Sequence, residues 1–478
     1  MRVSKRFKLG RTQPTLDFID VDYKGDTGLF ISPKALASLP SDWGDRCVSL
    51  VQSFFSTVLG HIKAGRHGEA ERLLKALREP NETHLGLSIG KSRGRALGDS
   101  SAHDVWRALS HSQAAQSGLI RDLEDTVLLI PGIGVDVISD MTTNIIRAPL
   151  IEYTQRMAVY YGIPLSPGVP SGPMWNPATK DWVEDFVELP MTPEGKLLLV
   201  PKAIVRRHLA YNLSEYYRFH VLTHLQDVEL AANSQLVQIT KKTKKRYVTK
   251  KDVEEKYGKS KKMVADVTVK NPSLLDDYKK KANNRPYLPL DHDIIAATEG
   301  TAKPDWDVLL NAVLAVPTGK ADAKGYESAV ESLFTALFYP DLTNPVAQSR
   351  LHDGRKIVDI DYTNMAQGGF FHWLSKHYPS GRIFVECKNY AGKVANPEMD
   401  QLANRFSPSR GQVGMLVCRA FADKARFQRG CQDTAKDSSR YIIHLDDDDL
   451  KALVHERKTN DQFQAWTLLN QRFRALTD

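Results

Sequence analysis

Apolar positions in the first 230 residues recur with a helical period. Between Arg46 and Ile62, the residues Val48, Val51, Phe54, Phe55, Val58, Leu59 and Ile62 follow i, i+3, i+4 spacing, which places them on one buried helix face. Similar periodicity predicts helices over Ala102 to Leu129, Asn144 to Tyr161 and Lys202 to Leu225, the last with Pro201 at its first turn. The Pro- and Gly-rich stretch from Gly162 to Gly195 interrupts them with loops and a hairpin around Trp182 to Leu189. The C-terminal third changes period. Glu327 opens a helical pattern with Val330, Leu333, Phe334 and Leu337 on one face, and Gly354 to Asn364 then alternates as a strand. There Ile357, Asp359 and Asp361 share one face, and Val358, Ile360 and Tyr362 share the other. Arg382 to Tyr390, Val413 to Cys418 and Tyr441 to Leu445 read as further strands, with a helix from Ala422 and another at the C-terminus. A mainly α N-terminal region followed by an α/β unit is the expectation. The helix opening at Trp306 ends before Pro317-Thr-Gly, which predicts a boundary and three segments: 1–240 helical, 241–317 an arm and connector, 318–478 the α/β domain.

Charge changes the picture at one place. The 478 residues carry 65 Lys+Arg against 57 Asp+Glu, a net +8. Lys241 to Lys262 alone holds ten Lys and one Arg against three acids, 11 − 3 = +8, so the remainder is neutral. This run reads as an exposed arm in which Thr249 caps a short helix from Lys250 that stops at Gly258. Its functional reading is a phosphate-contacting surface made by Lys241, Lys242, Lys244, Lys245, Arg246, Lys250 and Lys251, with Tyr247 and Tyr257 available for stacking. A solvated connector explains the same charges. Overall, 42% hydrophobic and 26% charged residues exclude disorder along the whole length. The four cysteines lack CxxC spacing, which argues against a disulfide framework or zinc knuckle and fits a reducing cytoplasm. The basic N-terminus is followed by no apolar stretch, and no uncharged apolar run is long enough to span a bilayer, so neither secretion nor a membrane is expected.

Candidate chemistry sits in the C-terminal strands. A carboxylate inside an apolar strand is costly without a partner. Glu386 and Lys388 lie two apart on one face of their strand, with Cys387 pointing the other way. Two carboxylates on adjacent strands suit a hard divalent cation such as Mg2+, and a lysine beside them can orient or deprotonate water for attack on a phosphodiester. A surface ion pair on an edge strand is the plainer alternative for Glu386 and Lys388.

These residues resemble the PD-(D/E)xK nuclease superfamily, the restriction-endonuclease-like fold, and its Mrr-like branches. The signature is Glu327 in the leading helix, Asp359 in IVDID, Glu386-Cys387-Lys388 in FVECKNY and Gln401 in EMDQLANRF. Val358 stands where the family usually has Pro, and the 27-residue gap from Asp359 to Glu386 carries an insertion, Met365 to Gly381, at the hairpin tip. The resemblance covers the C-terminal third and implies a central mixed sheet flanked by helices. It also implies Asp359, Glu386 and the Cys387 main-chain carbonyl as ligands of Mg2+ or Mn2+, and Lys388 as the catalytic lysine. Glu327 would be a supporting acid and Gln401 a positioning group. Sidedness alone does not separate Asp359 from Asp361 as the ligand; position in the motif favours Asp359.

The implied function is a metal-dependent DNA endonuclease, a restriction or anti-phage effector whose N-terminal region controls it. Double-strand cutting by one site per subunit would favour a homodimer. The alternatives are a transposon- or repair-associated nuclease, an RNA nuclease, and an inactive DNA-binding adaptor. Gly86 to Ser92 imitates a P-loop but is one residue short, so any ATPase would be a separate partner. Asp291-His292-Asp293 reads as turn polars, Asp136 to Asp140 as a cap and turn, and Asp446 to Asp449 as acids complementing a helix dipole.

Overall fold

The structure is a computed structural model describing residues 1–86, 99–285, 287–351, 356–391, 396–459 and 463–477. The P-loop imitation falls largely on 87–92, outside the described residues.

The N-terminal region is mainly helical. Ser41 caps the helix Asp42–Lys63, its hydroxyl accepting from the Gly44 N–H at 3.2 Å. That helix buries Val51, Phe54, Phe55, Val58, Leu59 and Ile62 on the predicted face, and the Phe54 ring meets Trp175 and Trp182 at 5.0 and 5.3 Å. Three predictions need correction. The pattern over Ala102 to Leu129 is three helices, Asp99–Ser110, Gln113–Gln116 and Asp125–Leu129, because Ser112 starts a new cap and Gly118 turns left-handed at φ +79°. The pattern from Lys202 begins as a short turn and an extended pair, Val205–Arg206 against Phe30–Ile31. Buried Arg206 donates to the carbonyls of Ala203 and Val205, and the helix starts only at Leu213, after the Asn212 cap. The expected single hairpin near Trp182 is two ladders: Trp175 pairs with Trp182, and Phe186–Leu189 pairs with Ser166–Pro170.

The basic segment is folded. Gln238–Ile239 pairs with Arg246–Tyr247, and Thr249 caps the helix Lys250–Tyr257 by accepting from Asp252 N–H at 3.1 Å, as the sequence predicts. Gly258 follows with φ +76°. Helices Lys261–Lys270 and Ser273–Asn283 come next, and Val253, Val264, Leu275 and Tyr278 are buried in the same apolar cluster as Phe54. The segment is therefore a layer packed on the helical core with Lys241, Lys242, Lys244, Lys245 and Lys251 exposed, rather than a free arm.

The C-terminal unit consists of α1 (Ala323–Leu337), β1 (Leu342–Leu351), β2 (Lys356–Asn364), α2 (Gly369–His377), β3 (Arg382–Ala391), α3 (Asn396–Ala403), β4 (Val413–Ala420), α4 (Lys424–Ser438), β5 (Tyr441–Leu445), α5 (Asp447–Thr459) and α6 (Thr467–Thr477). Its five strands lie in the order β1-β2-β3-β4-β5, antiparallel across the first three and parallel across the last three, which makes β3 central. The centre of the sheet is apolar: Val358, Ile360 and Tyr362 of β2 and Ile383, Phe384 and Val385 of β3 are buried with Val330, Leu333, Phe334 and Leu337 of α1. The insertion at the hairpin tip forms α2, with Phe370 and Phe371 buried in this core.

The two layers are joined by polar bonds. Arg11 pairs with Glu331 of α1 at 2.5 Å, the Asn344 N–H of β1 donates to Asp17 at 2.7 Å, and His292 Nε2 meets the Ala336 carbonyl of α1 at 2.8 Å. Asp291 caps the helix His292–Glu299 and Asp293 pairs with Lys303, so the three do not converge. Asp136 and Asp140 lie within the helix Val135–Ile145, rather than on a turn. Asp446 and Asp449 cap one another's backbone and pair with Lys424, and Asp449 also pairs with Arg472.

Candidate active site

The site forms where β2 and β3 part. Their pairing runs from Thr363↔Arg382 to Ile360↔Val385, and beyond it the Asp359 carboxylate accepts from the Cys387 N–H at 2.8 Å. A side chain thus takes the backbone donor of the next strand and fixes Asp359 against β3. Glu386, in the strand just before, is 1% exposed despite its charge. Its two oxygens accept from Lys388 Nζ at 2.8 Å and from Arg405 Nη1. Lys388 also donates to Gln401 Oε1 of α3 at 3.3 Å. Since β3 is the central strand, the reading of Glu386 and Lys388 as an edge-strand surface pair does not hold.

Glu327 joins the group from α1, which packs on β3. Burial raises its carboxyl pKa, the Asp359 charge raises it further, and Lys388 and Lys324 pull it down. Burial likewise raises Asp359, opposed by the Cys387 N–H bond and by Lys388 and Arg405. Glu327, Asp359, Glu386, Lys388 and Gln401 are therefore within one electrostatic neighbourhood. Asp361 is engaged elsewhere: it is buried and held by the Arg382 guanidinium, whose Nε donates at 3.0 Å. Cys387 is buried on the opposite side, and burial pushes its thiol pKa up, which leaves it inert as a nucleophile.

Arg405 is the group that the sequence motif does not single out. It lies four residues after Gln401, just beyond the end of α3, and is 6% exposed. Its contact with Glu386 depends on where the turn after α3 meets β3, and the sequence holds no local signal for it. Phe406 anchors this turn against the sheet at Gly414, where an added Cβ would lie 2.9 Å from both the Phe406 ring and the Phe384 carbonyl oxygen. Burial lowers the Arg405 pKa and Asp359 raises it.

The donors in this group are oxygens, the type that Mg2+ and Mn2+ prefer. Among the described residues no group of three His, Cys, Asp or Glu side chains is placed to hold a metal ion. Glu386 has both oxygens bonded, one to Lys388 and the other to Arg405.

The lysine-rich face lies on the helical layer. Lys241, Lys242, Lys244, Lys245, Arg246 and Lys251 are exposed and Lys250 is half-buried. Tyr257 is turned inward with its hydroxyl on Glu229, and Tyr247 donates to Gln238 at 3.0 Å while staying partly exposed.

A family model described as a domain of unknown function, DUF8370, matches residues 8–212. No curated protein and no solved structure matches the chain. The matched span holds Arg11 and Asp17, which bond to the C-terminal unit, and stops before the sheet. No helix among the described residues is long and apolar enough to cross a membrane.

Proposed function

We propose that the C-terminal unit is a PD-(D/E)xK nuclease with the restriction-endonuclease-like fold, hydrolysing DNA phosphodiester bonds with Mg2+ or Mn2+. The observation that carries this reading is the convergence of Asp359, Glu386, Lys388 and Gln401 where β2 and β3 separate, with Glu327 facing them from α1. A strand-centre Glu and Lys on one face, backed by a half-buried Asp on the neighbouring strand, have little use in a sheet that only needs to pack.

Each side chain has a task in that reaction. Asp359 and Glu386, with the Cys387 carbonyl, would hold the cation, which supplies Lewis acidity and neutralises charge growing on the phosphate. Lys388, fixed between Glu386 and Gln401, would orient the attacking water and offset negative charge developing at the phosphate. Glu327, with its raised pKa, is suited to hold a proton near the site. Arg405, bonded to Glu386, adds a second positive charge beside that carboxylate and would favour a phosphate bound there. The lysine-rich face would supply sequence-independent phosphate contacts. Arg11 on Glu331, one turn beyond Glu327, offers the N-terminal region a direct hold on the helix that carries the supporting acid, which fits an effector whose nuclease is controlled.

The test is a cleavage assay with Mg2+ or Mn2+ on supercoiled, linear and single-stranded DNA, comparing the wild-type chain with Glu386→Ala and Lys388→Ala. Loss of at least about a hundredfold in rate is expected for Lys388→Ala, as for removal of a group that stabilises charge in the transition state. Equal activity in all three proteins would sink the assignment, and cation-independent DNA binding without cleavage would favour an adaptor.

A further inference from the structure

Within the helix that begins at Leu213 the backbone makes one wide, π-type turn, Tyr217–Val221, a feature often found at functional positions. Tyr217 and Val221 face the core, and Phe219 lies on the opposite side with 60% of its surface in water. Cations frame the ring. Lys250 Nζ stands 5.0 Å from its centroid and donates to the Arg218 carbonyl at 2.5 Å, and the Arg218 guanidinium is 5.9 Å from the same centroid. Lys251 follows, exposed and 3.8 Å from Glu255. The helix then runs on to Leu230, whose carbonyl accepts from Arg246 of the basic hairpin at 3.2 Å. The aromatic ring with its cations and the basic hairpin with Lys241, Lys242, Lys244 and Lys245 thus border the same helical stretch, the ring near its start and the hairpin near its end.

Phosphate attraction explains the cations and leaves the ring unexplained. A duplex offers phosphates and groove edges, with its base faces already stacked. An unpaired base offers a π face, and aromatic platforms inside basic surfaces bind single strands with little sequence preference. We propose that the surface formed by Phe219, Arg218, Lys250 and Lys251 binds single-stranded DNA, Phe219 stacking an unpaired base while the cations hold flanking phosphates. This deepens the nuclease reading and rests on its assignment of the lysine-rich face to nucleic acid.

The experiment uses the full chain in EDTA, so that cleavage does not intervene. Fluorescence anisotropy compares a fifteen-nucleotide oligothymidylate with a duplex of the same length for wild type, Phe219→Ala, Phe219→Tyr and the combined Lys241, Lys242, Lys244, Lys245→Gln variant. Phe219→Ala is expected to weaken single-strand binding on the order of tenfold, with less than about a twofold change for duplex, and Phe219→Tyr to restore it. The lysine variant should weaken both. Single-strand affinity unchanged by Phe219→Ala, with both affinities lowered by the lysine variant, overturns the stacking platform and leaves the phosphate-contacting face standing. Binding unchanged in the lysine variant removes that face, and this proposal with it.

Discussion

Arg405 and Lys388 together place two positive charges on the Glu386 carboxylate inside the sheet. Removing Arg405 leaves Lys388 as the remaining cation on Glu386 and one oxygen of a buried carboxylate without its donor. Arg405→Met is therefore expected to lower stability by about 3 kcal/mol in EDTA, and saturating Mg2+ should recover more of it than it adds to wild type. Thermal unfolding with and without the cation checks this; equal Mg2+ shifts in both proteins count against a cation at Glu386. A second residue-scale prediction concerns Asp140. Burial and the charges of Glu79, Asp136 and Asp26 push its pKa up to about 8, so the folded chain holds this carboxyl protonated at neutral pH. Because the folded value exceeds the ordinary 3.8, the stabilising contribution is complete below about pH 4 and is lost progressively as pH rises to about 8. Asp140→Asn removes that slope. Above pH 8 it should be more stable than wild type by about 2 kcal/mol, after discounting for partial exposure, and urea titrations at pH 5 and 8.5 would show it.

At the scale of elements, α1 and β2 are held together by a buried polar chain. Thr335 donates to Glu331 at 2.9 Å and meets the Tyr362 hydroxyl at 2.9 Å, so the helix bearing Glu327 is tied to the strand bearing Asp359, with Arg11 on the free side of Glu331. Arg11→Met should cost about 3 kcal/mol, and a cycle with Glu331→Gln should return a coupling of at least about 1 kcal/mol. In the nuclease reading, kcat falls in Arg11→Met while DNA affinity holds. The elements legible in the sequence include the helix Asp42–Lys63, α1, β2, β3, β4, β5 and the capped helix after Thr249, whose apolar patterns are unbroken. β1 escaped notice because Leu342–Leu351 includes Pro345, a left-handed Asn344 at φ +51° and a register shift between Thr343 and Val346, which break the alternation that marks a strand. The site was legible to the same degree. Motif spacing brought Asp359, Glu386, Lys388 and Gln401 into view, but the claims of Arg405 on Glu386 and Arg382 on Asp361 depend on which turn meets which strand, and no local spacing carries that.

For the whole molecule, the net charge resolves into a folded face. Neutralising Lys241, Lys242, Lys244 and Lys245 should lower the slope of log affinity against log salt by up to about 3, since each lost phosphate contact removes roughly 0.7 to 0.9. An unchanged slope would leave those lysines as solubilising charge. The two layers also share their apolar packing: Tyr339 and Met365 of the C-terminal third belong to the N-terminal cluster, and buried Lys202 sits 4.2 Å from the Tyr339 ring centroid. Control of a nuclease by residues 8–212 would pass through these contacts and through Arg11. The most direct measurement is Mg2+-dependent nicking of supercoiled DNA by Asp359→Asn and Asp361→Asn, each first shown to be folded by circular dichroism. With Asp359 on the cation and Asp361 on Arg382, the first variant loses at least about a hundredfold in rate and the second stays within about tenfold of wild type. Wild-type nicking by Asp359→Asn would contradict the site.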